Sequence, residues 1–216
     1  MKKQIKEHGI IFNGEMVRAI LDRRKTQTRR VIKNQPFDRS WSRHDHHIEI
    51  VSGRADEGDE IDGLHAYTKS SGGVWSAKCP FGQVGDRLWV RESFGFSIRS
   101  VGGSPHEQLV FKASKPDAVR YYDCNGVPSP MKWSPSSQMP RKYSRITLEI
   151  TDIRVERLQD ISEEDAKAEG APTECCVIGD KHFLGFRRLW KSIYGQDSWQ
   201  SNPFVWVVEF KRVEAA

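Results

Sequence analysis

The chain has 216 residues, of which 37% are hydrophobic and 22 are aromatic (7 Trp, 5 Tyr, 10 Phe), enough to build the core of one domain. No apolar run approaches the roughly 20 residues of a membrane span, and the basic N-terminus lacks the apolar stretch of a signal peptide. We therefore expect a cytoplasmic protein without a membrane partner. The net charge of +5 permits nucleic acid as a partner but does not require it.

The four cysteines form no disulfide framework, because two are adjacent and two stand alone: Cys79, Cys124, Cys175 and Cys176. This usage is typical of reduced thiols in a cytosolic protein. A zinc site could be assembled from Cys175, Cys176, His182 or the histidines of residues 44–47. The spacing matches no familiar zinc pattern, so we predict no metal and no cofactor.

Two segments in the first ninety residues have periodic patterns. Asn13 is a favoured N-cap, and Glu15 suits the positive end of a helix dipole. Four apolar residues follow on one helical face: Met16, Val17, Ile20 and Leu21. The helix is predicted to end near residues 23–25. Residues 87–92 follow a Gly-Asp turn signal and alternate as a β-strand does.

The last seventy residues are the most regular part of the sequence. Alternating apolar residues predict a strand from Ile146, and the change of parity at Ile153 predicts a bulge near residues 151–152. Ser162 and Asp165 form a capping box that begins a helix, and Gly170 ends it. A third helix carries four apolar residues and ends at Gly195: Phe186, Leu189, Trp190 and Ile193. A final strand has two apolar faces, one with Phe204, Trp206, Val208 and Phe210 and one with Val205, Val207 and Val213.

Strands separated by short helices predict an α+β fold, a mixed sheet or small β-barrel of about five to seven strands with peripheral helices. We predict a single domain over residues 1–216 with two irregular insertions, at about 34–78 and 113–143. Long structureless segments are usually functional or mobile. Trp41, Trp75 and Trp133 lie in these segments, where they either stack on bases or pin the loops to the body, the interpretation that we favour.

The densest basic cluster lies between Arg18 and Lys33. Its centre, residues 24–30, reads Arg-Lys-Thr-Gln-Thr-Arg-Arg and combines guanidinium groups, an ammonium and two hydroxyls. These groups suit a phosphate or a nucleotide. From composition alone, a cationic helix end followed by a solvated strand explains the cluster better.

Four segments in a fixed order change that assessment. They are residues 19–29, the Gly85-Asp86 turn with the strand after it, the acidic helix of residues 158–170 and the closing strand 204–210. Together they resemble the ASCH domain family. The resemblance covers about half of the chain, and the whole sequence is most similar to the longer ASCH-like proteins of phages and prophages. It implies a PUA-like β-barrel. It also implies RNA or a modified nucleoside or nucleotide as partner, in the host cytoplasm if a phage encodes the protein.

The resemblance also implies a site. The small ASCH amidohydrolases act on N4-acetylcytidine, and similarity to them assigns Lys25 as proton acceptor, Thr28 as nucleophile and Glu169 as proton donor. A threonine needs such a base, and burial or neighbouring arginines would lower the pKa of a lysine enough to provide one. Glu169 also falls in the last turn of its helix, where its charge opposes the helix dipole.

The same resemblance places further residues around the ligand. They are Arg24, Thr26, Arg29, Arg30, Arg91 and Glu92, of which the last two could instead form a surface ion pair worth little. One departure from the family concerns position 23, where Arg23 replaces the usual glycine. If this position caps the helix in a left-handed conformation, arginine costs roughly 1 kcal/mol.

Three functions remain open at this point. The first is a binding module for RNA or a modified nucleotide. The second is an amidohydrolase that removes an acyl group from N4-acylated cytidine through Lys25, Thr28 and Glu169. The third is a metal-assisted ribonuclease that uses the histidine-rich stretch, because nuclease activity also occurs within the ASCH family.

Overall fold

The computed structural model describes residues 4–35, 49–54, 60–70, 73–101, 104–175 and 181–213. These residues form a strand-rich α+β fold, as the sequence predicted. The strands are β1 (Glu7–Ile11), β2 (Gln27–Val31), β3 (Glu49–Arg54), β4 (Glu60–Ser70), β5 (Gly73–Lys78), β6 (Arg87–Arg91), β7 (Phe94–Val101), β8 (Ser104–Phe111), β9 (Val119–Tyr122), β10 (Pro128–Pro130), β11 (Thr147–Arg157) and β12 (Phe204–Val213). The helices are α1 (Gly14–Leu21), α2 (Glu163–Ala168), α3 (His182–Tyr194) and α4 (Gln196–Gln200).

The central sheet has five strands in the order β1-β6-β11-β12-β2. Only the β1–β6 pair is parallel, and the other three pairs are antiparallel. Among the described residues no backbone pairing joins the edge strands β1 and β2. A side chain does connect them, because the Arg30 guanidinium on β2 donates a hydrogen bond of 2.6 Å to the carbonyl of Ile11 on β1.

The two segments predicted to be irregular contain regular structure. The first includes the antiparallel sheet β3-β4-β5, and the second includes the β9–β10 pair and two 3-10 turns at residues 136–138 and 141–143. The long β7–β8 hairpin between the two segments was not predicted either. Its strands, and those of the first segment, mix polar and apolar residues without a sustained alternation, so local pattern does not identify them.

Strand β12 separates two hydrophobic cores. Trp206, Val208 and Phe210 face a core shared with α1 and strands β1, β6 and β11, whereas Val205 and Val207 face a core built with α3 and α4. The two apolar faces predicted for this strand are therefore confirmed. Because both faces are buried, β12 is the structural link between the central sheet and the helices after Glu169.

The predicted helix and strand boundaries near these cores are confirmed. Asn13 caps α1 by accepting a hydrogen bond of 2.8 Å from the Met16 amide, and Ser162 and Asp165 form the capping box of α2. The register of β11 shifts between Ile150 and Asp152, at the predicted bulge. Of the acidic segment 158–170, only Glu163–Ala168 is α-helical, because residues 158–160 form a 3-10 turn.

The tryptophans in the two long segments have different surroundings. Trp75 donates a hydrogen bond of 3.2 Å to the carbonyl of Asn34 and packs against the first core, so it pins its segment as predicted. Trp133 is half-buried, and Trp41 lies outside the described residues. Within the described part of the chain, no helix is long and apolar enough to cross a membrane.

Candidate active site

Lys25 is positioned by the end of helix α1. The amides of Arg23 and Arg24 bond to the carbonyls of Ile20 and Ala19 at 3.1 Å and 2.8 Å, which is a Schellman motif. Arg23 occupies the left-handed position of this motif with φ of 60°, where helices that end in this way usually have glycine. The chain then continues directly into Lys25 and β2, so the cap fixes the position of the Lys25 backbone.

Glu169 is positioned by an equivalent cap at the end of α2. The amides of Gly170 and Ala171 bond to the carbonyls of Lys167 and Ala166 at 2.8 Å and 3.3 Å, and Gly170 has φ of +73°. Glu169 itself is the C-cap residue, so its charge stands at the negative end of the helix, as the sequence predicted. Because a carboxylate is unfavourable at this end of a helix, Glu169 needs a cation beside it.

The two helix ends meet through backbone contact. Lys25 and Glu169 form an isolated antiparallel bridge, and the Thr26 amide donates to the carbonyl of Ala168 at 2.8 Å. A Cβ atom on Gly170 would lie 2.9 Å from the Cβ atoms of Ala19 and Lys25. Glycine at this position therefore permits the close approach that brings the two side chains together.

The Lys25 ammonium contacts Glu169 twice, at 2.6 Å to carboxylate Oε2 and at 2.9 Å to the backbone carbonyl. The two residues are only 2% and 3% exposed. Burial lowers the pKa of Lys25 most, Glu169 opposes that change, and the charges of Arg30 and Arg29 lower the pKa further. A proton acceptor at Lys25 is thus physically reasonable, because water does not stabilise its charged form.

Arg29 lies in the centre of a charged network behind this pair. Its Nη2 atom is 2.9 Å from Glu156 and 3.2 Å from Asp165, and its Nη1 atom is 3.5 Å from Oε1 of Glu169. Arg154 closes the outer side of the network by contacting Glu156, Asp165 and Glu209. Gln27 also donates to the Asp165 carboxylate at 3.0 Å. The network holds the Arg29 side chain, which is completely buried.

A cavity of about 170 Å³ lies between β2, the end of β1 and helix α3. Thr28, Arg29, Arg30 and Glu169 provide its polar wall. The remaining wall is mostly apolar and consists of Ile11, Asn13, Met16, Phe186, Leu189, Trp190, Ile193 and Tyr194. Trp190 and Tyr194 stack with ring centroids 4.4 Å apart. A few convergent polar groups in an apolar, aromatic pocket are the usual composition of a small-molecule site.

Of the residues that the resemblance assigned, Thr28 and Glu169 line this cavity together with Arg29 and Arg30, and Lys25 reaches it through its contact with Glu169. Arg24 is different, because it forms an exposed pair with Asp22 at 3.0 Å. Thr26 is also exposed and takes part through its backbone alone in the contacts described above. Neither lines the cavity, so the prediction that they surround the same ligand is not supported by their positions.

Arg91 and Glu92 do not form the surface ion pair that was the alternative to a place at the ligand. Arg91 donates to the carbonyl of Ser137, whereas Glu92 is buried and forms a bidentate pair with Arg145 at 2.8 Å and 2.9 Å. Glu92 lines a second cavity of about 530 Å³ that shares Ile11 and Asn13 with the first. The Glu92–Arg145 pair therefore joins distant segments through a buried carboxylate and a partly exposed guanidinium.

Sequence reasoning missed several residues of the site. Glu156 and Asp165 anchor Arg29, and Trp190 and Tyr194 form the aromatic wall. Asp165 was identified only as a capping residue, and Trp190 only as a core residue. A charged residue at 156 after an apolar alternation is a weak signal, because exposed strand faces carry such residues routinely. Only the packing of α2 and α3 against β2 gives these residues a role.

Metal ligands are not gathered anywhere in the described part of the chain: no group of three or more His, Cys, Asp or Glu side chains is close enough to hold an ion. Cys79, Cys124 and Cys175 are free thiols. The histidines of residues 44–47 and Cys176 lie outside the described residues. The metal-assisted ribonuclease thus stays a prediction that the geometry of this site does not address.

Comparisons with known proteins add no identification. No family model matches the chain, and no curated protein and no solved structure is significantly similar to it. The assignment of function therefore rests on the geometry of the site and on the resemblance of its motifs.

Proposed function

We propose that this protein is an ASCH-type hydrolase that removes the acyl group from an N4-acylated cytidine or a related nucleoside. One observation carries the proposal: the buried Lys25 ammonium lies 2.6 Å from Glu169, and Glu169 lines the same cavity as Thr28. A base, a hydroxyl nucleophile and an acid are the three groups that amide cleavage through an acyl-enzyme requires.

In the first step, the Thr28 hydroxyl oxygen attacks the acyl carbonyl carbon and its proton passes to the neutral amine of Lys25. When the tetrahedral intermediate collapses, the bond between carbon and N4 breaks and the Glu169 carboxylic acid gives its proton to the leaving nitrogen. Water then hydrolyses the threonine ester, which releases the carboxylic acid and restores the hydroxyl. The reaction consumes one water and needs no cofactor.

The contact between Lys25 and Glu169 supplies the required protonation states. Moving one proton along the 2.6 Å hydrogen bond converts an ammonium and a carboxylate into an amine and a carboxylic acid. That single transfer produces the base and the acid together. Burial lowers the pKa of Lys25, which makes its ammonium a better proton donor in this transfer.

The cavity supports a single base as the ligand. Its volume of about 170 Å³ is smaller than the roughly 300–1,000 Å³ of pockets for drug-sized molecules. The stacked rings of Trp190 and Tyr194 give an aromatic wall against which a base can pack. The second cavity, which shares two lining residues with the first, provides room for the rest of a nucleoside.

The test is hydrolysis of N4-acetylcytidine by the purified protein, followed by its change in absorbance. We expect Thr28→Val and Glu169→Gln to lower kcat/KM by at least about 100-fold while circular dichroism shows an intact fold. Thr26→Ala is the matched control, because this exposed threonine of the same motif does not line the cavity, and it should retain wild-type turnover. Absence of turnover on several acylated nucleosides would remove the hydrolytic proposal.

A binding module without chemistry is the second candidate function. It is favoured by the aromatic wall and by exposed cations near the cap, among them Arg23 and Arg24. Binding of RNA should weaken steeply with salt, and Arg24→Glu should weaken it further. Charge reversal of Arg29 is unsuitable for this test because that side chain is buried among carboxylates. Salt-independent binding, or none, argues against this candidate.

The PUA-like barrel and the cellular setting belong to the same proposal. The Arg30–Ile11 hydrogen bond between the two edge strands supports a sheet that curls until its edges meet, with a side chain completing the closure. The cytoplasmic location, and a phage or prophage origin, remain predictions from the motifs.

A further inference from the structure

A groove beside strand β9 lies outside the candidate active site. It has a volume of about 340 Å³ and is formed by β7, β8, β9 and the connection between β8 and β9. Strand β9 belongs to the insertion predicted at residues 113–143. Among the described residues, none lines both this groove and the cavity that Thr28 and Glu169 line. This β9 groove is therefore a surface of its own.

Three exposed cations line the β9 groove. They are Arg99 on β7, Lys115 in the connection and Arg120 on β9. In the part of the chain that the structure describes, none of the three forms an ion pair, whereas the exposed Arg24 and Arg141 do. One carboxylate, that of Asp117, also lines the groove. Positive charge is thus in excess there and attracts an anionic ligand.

Two tyrosines on β9 accompany these cations. Tyr121 and Tyr122 line the same groove and are 43% and 65% exposed. Among the described residues, neither ring stacks on another ring or contacts a cation, unlike the ring of Tyr143, which packs against Phe94 and Phe96. Two adjacent aromatic rings without an internal partner are available to a ligand.

The combination of cations and rings restricts the chemistry of that ligand. A single strand of nucleic acid offers phosphates to the cations and unstacked bases to the tyrosines, and single-strand binding proteins use the same two groups. A duplex offers its phosphates alone, because its bases are stacked on one another. An acidic peptide supplies the negative charge but no series of flat rings. The β9 groove therefore fits a single strand best.

We infer that the β9 groove binds single-stranded nucleic acid, with phosphates against Arg99, Lys115 and Arg120 and bases stacked on Tyr121 and Tyr122. The inference goes beyond the proposed hydrolase and does not depend on it, because the groove and the cavity have no lining residue in common. It gives the second insertion a function, which is to hold a nucleic-acid strand on the same molecule as the candidate active site.

The first arm of the test is fluorescence anisotropy with a labelled single-stranded RNA of roughly 12 nucleotides, a length within the range of single-strand sites. Arg120→Glu should weaken binding by about 10-fold and reduce the slope of log affinity against log salt by about 1. Arg212→Glu is the matched control, because it makes the same charge change at an exposed arginine outside the groove. Equal losses in the two variants, or no binding by the wild-type protein, overturn the inference.

The second arm tests the rings. Replacing both Tyr121 and Tyr122 with alanine should weaken binding by about 10-fold or more, whereas replacing both with phenylalanine keeps the rings and should preserve the affinity. Both side chains are exposed, so the fold should persist, and circular dichroism checks it. Wild-type affinity in the alanine variant, or an equal loss in both variants, rules out stacking on these tyrosines.

The third arm tests the class of ligand by competition. Unlabelled single-stranded RNA and DNA of one sequence should displace the labelled strand, and the stronger competitor identifies the nucleic acid that the groove prefers. The corresponding duplex and polyglutamate should compete at least about 10-fold less well, because neither offers unstacked bases. Equal competition by either one overturns the assignment to a single strand.

One further variant separates this inference from the binding module considered above, which depends on cations near the α1 cap. Arg24→Glu is measured in the same RNA titration. A loss of affinity in Arg24→Glu with none in Arg120→Glu overturns the β9 groove as the binding surface. Since all of these measurements read binding and not turnover, failure of the proposed hydrolase leaves them intact.

Discussion

The Lys25 ammonium has no access to water, and the Glu169 carboxylate compensates for the hydration that it loses. A buried pair of this kind contributes little net stability, but the loss of one partner leaves an uncompensated charge. When one residue of this pair is replaced, nearly all of the lost stability should therefore come from the buried charge of the residue that remains.

A double-mutant cycle measures this dependence. Lys25→Met should lower the free energy of unfolding by about 3–5 kcal/mol, because Glu169 stays buried without its cation. Adding Glu169→Leu should restore most of the loss, because both charges are then gone and the site is filled by apolar atoms. Urea denaturation at neutral pH gives both values. Losses that simply add in the double variant would show that the two side chains are independent.

The pH dependence of stability reports on the same lysine. Burial has the largest effect on Lys25 and lowers its pKa from the ordinary value of 10.5. Glu169 opposes this change, and the charges of Arg30 and Arg29 add to it. Between the lowered pKa and 10.5 the unfolded chain binds more protons than the folded protein, so the free energy of unfolding rises with pH in that window. Below the lowered pKa both states hold the proton and the contribution is constant.

We therefore expect the wild-type protein to gain stability relative to Lys25→Met as the pH approaches 10.5. Urea midpoints of both proteins at several alkaline pH values measure the difference. Curves that stay parallel throughout this range would mean that Lys25 titrates in the folded protein as it does in the unfolded chain.

At the scale of elements, two helix caps decide where the site residues stand. Arg23 is in the left-handed conformation, which strains any residue with a Cβ atom. Arg23→Gly should raise the free energy of unfolding by about 1 kcal/mol and the melting temperature by about 2–4 °C for a chain of this length. Arg24→Gly, one position later and without positive φ, is the control and should not stabilise the protein.

The second cap is tested by adding a methyl group. Gly170→Ala combines positive φ with contacts of 2.9 Å to Ala19 and Lys25, so we expect a loss of more than about 2 kcal/mol and reduced turnover because Glu169 is displaced. Gly126→Ala is the matched control: φ is +79° but nothing lies within 4 Å of the added atom. It should cost only about 1 kcal/mol. Similar losses for the two variants would show that the close approach is unimportant.

At the scale of the whole molecule, β12 joins the two cores. Because its opposite faces are buried in different clusters, the central sheet and helices α3 and α4 should unfold together. We expect tryptophan fluorescence and far-ultraviolet circular dichroism to give coincident urea transitions. Two separate transitions would mean that the helices after Glu169 form a unit of their own.

Local patterns predicted the elements that hold the site. The capping residues Asn13 and Ser162, the parity change before Ile153 and the two faces of β12 are properties of short segments, and each was correctly read. The β7–β8 hairpin and the β3-β4-β5 sheet were not, because their strands lack a clear alternation and are stabilised by pairing with neighbours. Arg29 was predicted to lie around the ligand, but the carboxylates of Glu156 and Asp165 that hold its side chain were not identified.

The sequence alone therefore determined where α1 and α2 begin, where α3 ends, which strand is buried on both sides and which residue types are present for chemistry, since these depend on interactions between near neighbours. Only the tertiary structure decided that Lys25 meets Glu169, 144 positions away, that carboxylates of β11 and α2 hold Arg29, and that an aromatic wall from α3 completes a cavity. Such contacts depend on how whole elements pack, and packing is set by many weak interactions between distant segments that no short stretch of sequence contains.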